Sequence, residues 1–456
     1  MTALERRGLL DPPSSPRATA MGMLMRMGRD RLGMMTDAAN RYGDASRLAV
    51  GPKTLYFFNH PDHAKHVLAD NAGNYHKGIG LVHARRALGD GLLTSEGDLW
   101  RKQRKVVQPA FQSRRIALQA GVVAQEAAGL VERLRGRIGA GPVNVLDEMT
   151  TLTLGVLGRT LLDTDLGRYS SIGDSFAAVQ DQAMFELASL SAVPTWIPLP
   201  RQLRFRRARR DLGRIVEELV AGRRSQTGDR DDVLSRLIVS ADAENDPAVG
   251  QERLRDELVT LLLAGHETTA STLSWALYLI DLHPDVRQRL HDEAVEVLGD
   301  RLPVFEDLHR LRYTSMVLEE VMRLYPPVWI LPRKAQRADE VGGYRVPAGA
   351  DVLVCPYTLH RHPAFWPEPE RFDPDRFDPG RTAGTAERPR YAYIPFGAGP
   401  RFCVGNHLGM MEAAFVIALL MRDLRMEKVP GYRVVAEPML SLRIRGGLPM
   451  TVAPAG

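Results

Sequence analysis

One of the two cysteines of the chain lies inside a loop made of glycine, proline, arginine and phenylalanine. The segment at 396–405 reads FGAGPRFCVG and holds Cys403 between Gly399 and Gly405. A buried structural cysteine usually lies on a helix or strand, where it packs like a small apolar residue. Glycine adopts backbone angles that other residues avoid and leaves room for a close approach. The loop therefore predicts a sulfur presented to a partner, with a core cysteine in a glycine-rich turn as the less favoured alternative.

A second candidate is an acid next to an alcohol, near the middle of a long predicted helix. The segment AGHETT at 264–269 places Glu267 beside Thr268, and a hydroxyl and a carboxylate together can deliver protons to a reacting group. Glycine and β-branched residues weaken a helix, and a threonine that bonds to a preceding carbonyl can bend it. We expect a local distortion that makes room for a small reactant; a tolerated weak spot is the alternative. The neighbouring His266 is expected to face outward.

Two further patterns place charged and aromatic residues at helical spacing. Trp100 and Arg104 lie at i and i+4, and Glu320 and Arg323 lie at i and i+3. Surface pairs at such spacing are common and contribute little to stability. Alone, each pattern indicates only an amphipathic helix. Their weight comes from their order along the chain, ahead of PEPERF at 367–372 and of the cysteine loop.

The rest of the sequence predicts the elements that position these groups. Apolar residues recur at three- and four-residue spacing over about 98–295, which is typical of helices. Residues 47–59 predict a hairpin around Gly51-Pro52, and 340–355 predict short strands. No internal repeat or low-complexity linker interrupts the pattern. We therefore expect one domain over 1–456, with a lead-in at about 1–20, in a mainly α fold with small β-sheets (α+β).

Composition narrows the class of protein. With 44% hydrophobic and 25% charged residues, the chain is typical of a globular protein and not of a disordered one. Two cysteines exclude a disulfide framework and fit a reducing compartment. A net charge of +5 in 456 residues is too small to predict nucleic acid as a partner. Without a signal-peptide pattern or an apolar run of membrane-spanning length, we expect a cytoplasmic protein with no transmembrane segment.

Taken together, the motifs resemble those of the cytochrome P450 family. The family pattern Phe-x-x-Gly-x-Arg-x-Cys-x-Gly is matched throughout 396–405, and AGHETT matches the family's acid–alcohol motif. The order of the motifs over about 98–406 also agrees. The resemblance implies the triangular, mostly helical fold of that family. It also implies a haem-thiolate monooxygenase that inserts one oxygen atom from O2 into a hydrophobic small molecule, by hydroxylation or epoxidation.

The resemblance further implies roles for individual residues. Cys403 is expected to bind the iron of haem b (iron protoporphyrin IX), and Glu267 and Thr268 are expected to be catalytic. A structural triad is expected at Glu320, Arg323 and Arg371. Residues expected at the haem are Trp100, Arg104, Ala264, Gly265, Arg333, Phe396, Gly397, Arg401 and Cys403. Positions that match substrate-facing segments are mostly apolar: Leu81, Val82, Leu261, Ala264, Val328, Trp329, Ile330, Met439 and Leu440.

Redox partners and a biological setting also follow from the resemblance. The chain has no flavin, iron–sulfur or nucleotide motif, so electrons from NAD(P)H are expected through a separate ferredoxin and ferredoxin reductase. The sequence resembles soluble bacterial members of the family, many of which act in secondary metabolism. A peroxide-driven hydroxylase of the same fold and a non-catalytic haem-binding sensor remain as alternatives. Neither alternative needs the intact pair Glu267 and Thr268, which therefore favours the monooxygenase.

Overall fold

The computed structural model describes residues 9–169, 171–189, 193–194, 196–226, 230–380 and 388–455. Within these ranges the chain is mainly helical, as the sequence predicts. Its α-helices are α1 Ala20–Arg29, α2 Arg31–Tyr42, α3 Pro61–Lys65, α4 Leu81–Leu88, α5 Gly97–Val107, α6 Ser113–Arg135, α7 Val145–Leu161, α8 Ile172–Ala188, α9 Pro200–Arg224, α10 Val233–Asp242, α11 Pro247–Leu282, α12 Pro284–Leu298, α13 Arg312–Leu324, α14 Pro356–Leu359 and α15 Asn406–Asp423.

In the described part of the chain, short strands form four small sheets. The strands are β1 Ala45–Val50, β2 Lys53–Phe58, β3 Tyr75–Lys77, β4 Val143–Asn144, β5 Leu331–Ala335, β6 Asp339–Val341, β7 Tyr344–Val346, β8 Asp351–Val354, β9 Leu424–Lys428, β10 Ala436–Pro438, β11 Leu442–Ile444 and β12 Pro449–Pro454. The largest sheet has the order β1-β2-β8-β5-β3, and the others are β4-β12-β9, β10-β11 and β6-β7.

The predicted hairpin begins the five-stranded sheet. Strands β1 and β2 pair antiparallel, with Leu48 opposite Leu55, and Gly51 turns the chain with a φ of 54°. A positive φ strains residues that carry a Cβ, which explains a glycine at this turn. At the other edge of the sheet, β3 pairs with β5 and places Lys77 directly opposite Arg333. Side chains opposite each other on paired strands lie on one face, so this register brings two cations together.

The long helix α11 is the central element of the helical part. It has 36 residues, or about 54 Å at the usual rise per residue, and the Asp246 carboxylate caps its first turn by accepting from the Ala248 N–H. Helices α7, α10, α13 and α15 pack around it. No helix of the described chain combines the length and the apolar character needed to cross a membrane.

Helix α11 continues without interruption through AGHETT, so the expected distortion is wrong at the level of helical hydrogen bonding. Gly265 has a different role in the fold. A Cβ at this position would lie 2.1 Å from Cδ1 of Leu157 on α7, far inside van der Waals contact. The glycine therefore lets α7 approach α11 closely, and it holds the two helices together beside the functional site.

Candidate active site

The cysteine loop is held by contacts that only a glycine-rich segment allows. Gly399 has a φ of 65°, and a Cβ there would lie 1.9 Å from the carbonyl oxygen of Leu68. The Cys403 N–H donates to the Phe396 carbonyl at 3.0 Å and closes the loop. The N–H of Gly405 donates toward the Cys403 sulfur. These contacts fix the direction in which the sulfur points.

The Cys403 thiol opens into a cavity of about 420 Å³ between the cysteine loop, α11 and the five-stranded sheet. Burial raises the pKa of the Cys403 thiol, whereas the hydrogen bond from the Gly405 N–H and the positive charge of Arg104 lower it. A bound cation would stabilise the thiolate further, because metal ligation requires the deprotonated sulfur. A cavity of this kind, with few polar groups, is typical of a site for a cofactor and an apolar ligand.

Three cations lie together on one wall of the cavity. Lys77, Arg333 and Arg401 all line it, and the carboxylate of Glu96 pairs with Arg401. Burial and the neighbouring positive charges lower the pKa of Lys77 well below its ordinary value and that of Arg333 to about 10. Nη1 of Arg401 is buried and has no hydrogen-bond partner among the residues that the structure describes. An excess of buried positive charge with an unused donor indicates a site for an anion.

These features fit haem. The Cys403 thiol would bind the iron, and Lys77, Arg333 and Arg401 would pair with the carboxylates of the ring. Trp100 and Arg104 lie behind this wall and do not line the cavity. The Trp100 ring lies 4.1 Å from the Arg401 guanidinium, and Nη1 of Arg104 donates to the Phe402 carbonyl at 2.7 Å. The other predicted haem residues line the cavity, namely Ala264, Gly265, Arg333, Phe396, Gly397, Arg401 and Cys403.

The acid and the alcohol of α11 both line the cavity. The Thr268 hydroxyl donates to the Ala264 carbonyl at 3.0 Å, one turn earlier. The Glu267 carboxylate accepts from the Ser441 hydroxyl at 2.6 Å. Burial raises the pKa of Glu267, although Ser441, the Gln180 side chain and the charge of Arg443 act against the rise. The acid and the alcohol thus share the cavity wall with Cys403, and burial favours the protonated form of the Glu267 carboxyl.

The expectation that His266 faces outward is wrong. Its side chain is buried on α11, where the ring packs 5.2 Å from that of Phe176 and Nδ1 bonds to the Leu262 carbonyl. Burial lowers its pKa to about 4, so the ring is neutral at physiological pH. A neutral imidazole that bonds to its own helix can pack in the core, which explains why a polar residue at this position is not on the surface.

The third member of the structural triad is Arg376 and not Arg371. Glu320 and Arg323 are fully buried and form a bidentate pair at 2.6 and 2.8 Å. Nε of Arg376, which is also buried, lies 3.4 Å from the Glu320 carboxylate. The Arg371 side chain is exposed and pairs with Glu368; only its carbonyl takes part, as an acceptor for Arg323. The chain carries PERF at 369–372 and PDRF at 374–377, and the fold uses the arginine of the second segment.

The assignment of Arg376 predicts different stabilities for two Arg→Ala variants whose positions are five residues apart. Arg376→Ala leaves the Glu320 carboxylate with one fewer buried cation, so we expect a loss of about 3 kcal/mol in the free energy of unfolding. Arg371→Ala removes an exposed pair and is expected to change it by less than about 0.5 kcal/mol. Urea unfolding of both purified variants measures the difference. Equal losses in the two variants would contradict the assignment of Arg376.

Most of the predicted substrate-facing positions lie on the cavity wall. Val82 does not: its side chain is 49% exposed on the outer face of α4 and lies outside the cavity, so this prediction is wrong. Leu81, the preceding residue, faces inward because successive helical residues point about 100° apart. The predicted positions that line the cavity are Leu81, Leu261, Ala264, Val328, Trp329, Ile330, Met439 and Leu440, and their contact with a substrate stays a prediction.

Four residues of the site were not found from the sequence. Lys77 sits in a three-residue strand and acquires its place only through the pairing of β3 with β5. Ser441 and Gln180 reach Glu267 from distant parts of the chain. Arg376 has a local signal, the PDRF segment, which competes with a nearly identical one. Even this signal does not decide between the two arginines, so none of the four residues could be identified from the sequence alone.

Comparison with known proteins gives a consistent result. The family model described as Cytochrome P450 matches residues 12–445. The chain is 38% identical over 405 residues to cyclooctatin synthase of Streptomyces melanosporofaciens, covering 88% of this chain and 87% of that protein. It is 34% identical to cyclooctat-9-en-7-ol 5-monooxygenase of the same organism, covering 91% and 89%. It is 32% identical to the chloroplastic carotene epsilon-monooxygenase of Arabidopsis thaliana, covering 91% and 80%.

Proposed function

This chain belongs to the cytochrome P450 family and is a monooxygenase, and from that premise we propose that it oxidises a bulky hydrophobic small molecule in secondary metabolism. The reaction inserts one oxygen atom from O2, as a hydroxyl group or an epoxide. The observation that carries the proposal is the composition of the cavity above Cys403. Its walls away from the cation cluster are mainly apolar, and the polar exceptions are Arg31, Glu267, Thr268, Thr269, Thr272, Glu412 and Ser441. Burial of apolar surface is therefore the main source of substrate affinity.

We assign haem b to this cavity, where Cys403 would bind the iron and Lys77, Arg333 and Arg401 would pair with the carboxylates. When bound, the haem supplies the iron at which O2 is activated with electrons that come ultimately from NAD(P)H. The protein supplies the placement and the protons. The Gly405 N–H, which points at the Cys403 sulfur, modulates how strongly that sulfur donates. The apolar walls exclude water from the reacting atoms.

Proton delivery is the part of the reaction that we assign to α11. Thr268 presents a hydroxyl on the cavity wall, and Glu267 holds a carboxyl of raised pKa one residue before it. A hydroxyl next to an acid can receive one proton while it passes another to a reacting group. The pair thus distinguishes the proposed monooxygenase from a peroxide-driven hydroxylase and from a haem-binding sensor.

Electrons are proposed to arrive from a separate ferredoxin and its reductase, with 1–456 as a single catalytic domain. Arg101, Lys102 and Lys105 lie on α5, the helix that carries Arg104 and contacts the cysteine loop, and Arg101 and Lys102 pair there with Asp98 and Glu244. A basic face next to the haem ligand suits an acidic protein partner. Both cysteines are unpaired, which supports a reducing compartment such as the cytoplasm.

The names of two relatives suggest the first compounds to test. Cyclooctat-9-en-7-ol, which by its name carries a double bond and a hydroxyl group, and carotene are both predominantly hydrocarbon. We expect at least one of them to shift the Soret band of the haem-loaded protein, and labelled O2 to appear in the product as one oxygen atom per molecule. Palmitate serves as a comparison for a charged ligand, because its carboxylate would need a buried cation such as Arg31, whose guanidinium already donates to the Pro438 carbonyl.

A pair of valine variants connects the spectral shift to the cavity. Val328 lines the cavity and Val82 lies outside it. Val328→Phe is expected to weaken binding of the accepted compound about tenfold or more, because the larger ring occupies its space. Val82→Phe should leave the affinity unchanged within about twofold. Equal effects in both variants would contradict the cavity as the substrate site, and a product without labelled oxygen would contradict the proposed reaction.

A further inference from the structure

The Glu267 carboxyl is held by neutral groups. The Ser441 hydroxyl donates to one of its oxygens at 2.6 Å, and the Gln180 side chain of α8 forms a second hydrogen bond. Arg443 contributes only a more distant charge, and its guanidinium pairs with Glu437 at 2.9 Å. His266 points away into the contact with Phe176. Among the described residues, the direct hydrogen-bond partners of Glu267 are thus one hydroxyl and one amide.

A hydroxyl and an amide can serve an acid in both of its protonation states. The hydroxyl rotates, so that it donates to a carboxylate and accepts from a carboxylic acid. The amide does the same by exchanging its NH₂ group and its oxygen. Oε1 of Gln180 is buried and accepts no hydrogen bond from any described residue, so an acceptor is available next to the acid. A lysine or arginine in either position would favour the carboxylate alone.

Ser441 lies in the turn between β10 and β11, which also forms part of the cavity wall. Its neighbours Met439 and Leu440 line the cavity. The Trp329 ring lines it as well, and its indole N–H donates to the Met439 carbonyl at 3.0 Å. At the far side of the turn, the Trp275 indole donates to the Leu442 carbonyl at 2.9 Å. The turn is therefore tied to α11 on one side and to a substrate-facing ring on the other.

We propose that Ser441 is a positioning residue for the acid Glu267, and that the β10–β11 turn links the substrate-facing wall at Trp329 to the placement of this proton donor. The inference rests on the proposed role of Glu267 in proton delivery. A molecule that presses on Trp329 or Met439 changes the position of the turn, and the Ser441 hydroxyl moves with it. The Glu267 carboxyl group therefore changes its direction only when substrate fills the cavity. Proton transfer is limited while the cavity is empty.

Infrared spectroscopy of the haem-loaded enzyme tests the positioning role without measuring turnover. The band of the protonated Glu267 carboxyl is assigned by its loss in Glu267→Gln, in difference spectra recorded on photolysis of the carbon monoxide complex. The hydrogen bond from the Ser441 hydroxyl to the carboxylate is charge-assisted and therefore stronger than its bond to the carboxylic acid, so Ser441 stabilises the ionised form. Ser441→Ala should therefore raise the pH at which the band disappears by about one unit. Ser441→Thr, which keeps the hydroxyl, should restore the original midpoint.

Ser274→Ala is the matched control, since Ser274 is a buried serine of α11 that donates to the Ala270 carbonyl. Ser274→Ala should leave unchanged the pH midpoint at which the Glu267 band disappears. The link to the cavity wall is tested by Trp329→Phe, which loses the bond to Met439 and should shift the frequency of the Glu267 band. Trp196→Phe, at a ring that is 74% exposed, should not shift it.

An unchanged midpoint in Ser441→Ala overturns the positioning role, and an unchanged frequency in Trp329→Phe overturns the link to the wall. Failure of the proposed function gives a different result. If Glu267→Gln forms product from NAD(P)H as efficiently as the parent enzyme, Glu267 does not deliver protons, whatever the infrared bands show. The two outcomes are measured on the same set of proteins, so each can be assigned separately.

Discussion

Cys403→Ser is expected to abolish the long-wavelength Soret band that a thiolate-ligated haem shows in its reduced carbon monoxide complex. The substitution changes one atom and keeps the closely packed loop, in which a Cβ at Gly399 could not fit. A serine hydroxyl remains protonated where a thiol can ionise, so the strongly donating ligand is lost. We expect no measurable band at the thiolate position, and a haem content well below that of the parent protein.

The second cysteine provides the control. Cys355 is fully buried at the end of β8, where its thiol donates to the Trp329 carbonyl at 3.1 Å, and it does not line the cavity. Cys355→Ser retains a donor of similar size and should keep the full thiolate band. A parent protein whose reduced carbon monoxide complex absorbs at the shorter wavelength of an imidazole-ligated haem would remove Cys403 from its assigned role.

The cysteine loop could be predicted from sequence because its geometry is local. Glycines, a proline and the cysteine within ten positions specify a closed turn, and the structure adds only the partner that enforces it, the Leu68 carbonyl beside Gly399. The same holds for Glu320 and Arg323, which are one helical turn apart. The third residue of that cluster was not predictable in this way. Two arginines five residues apart carry almost the same local sequence, and only the path of the chain after α14 decides which of them is buried.

Residues whose role depends on distant strands or helices were missed or misjudged. Lys77 joins Arg333 because β3 and β5 pair in one register, and a shift by one residue would turn it to the other face. Glycine weakens a helix, yet Gly265 has a role in the fold because it lets Leu157 of α7 pack closely against α11. His266 is polar but neutral and buried. In each case the sequence supplies the residue type, and a neighbour far along the chain supplies its environment.

Thr268→Ala is expected to separate the consumption of NAD(P)H from the formation of product. The substitution removes one hydroxyl, which bonds within its own helix to the Ala264 carbonyl. Folding and haem binding should therefore persist, at a cost of about 1 kcal/mol in the free energy of unfolding. Without the hydroxyl, protons reach the reacting oxygen by a less ordered route, and oxygen leaves as hydrogen peroxide. We expect the ratio of product to NAD(P)H consumed to fall about tenfold or more.

The next hydroxyl along α11 decides whether this effect belongs to proton delivery. Thr272 also lines the cavity and donates to the carbonyl of Thr268 at 2.9 Å, the same bond one turn later. Thr272→Ala removes an equivalent hydroxyl and an equivalent helical contact, but not the one adjacent to Glu267. If proton delivery depends on the acid–alcohol pair, Thr272→Ala keeps the parent ratio while Thr268→Ala releases hydrogen peroxide. Equal ratios in both variants would mean that the hydroxyls only fill space in the cavity wall. A parent enzyme that forms product only with added hydrogen peroxide would instead favour the peroxide-driven hydroxylase, because that enzyme draws no protons through Thr268.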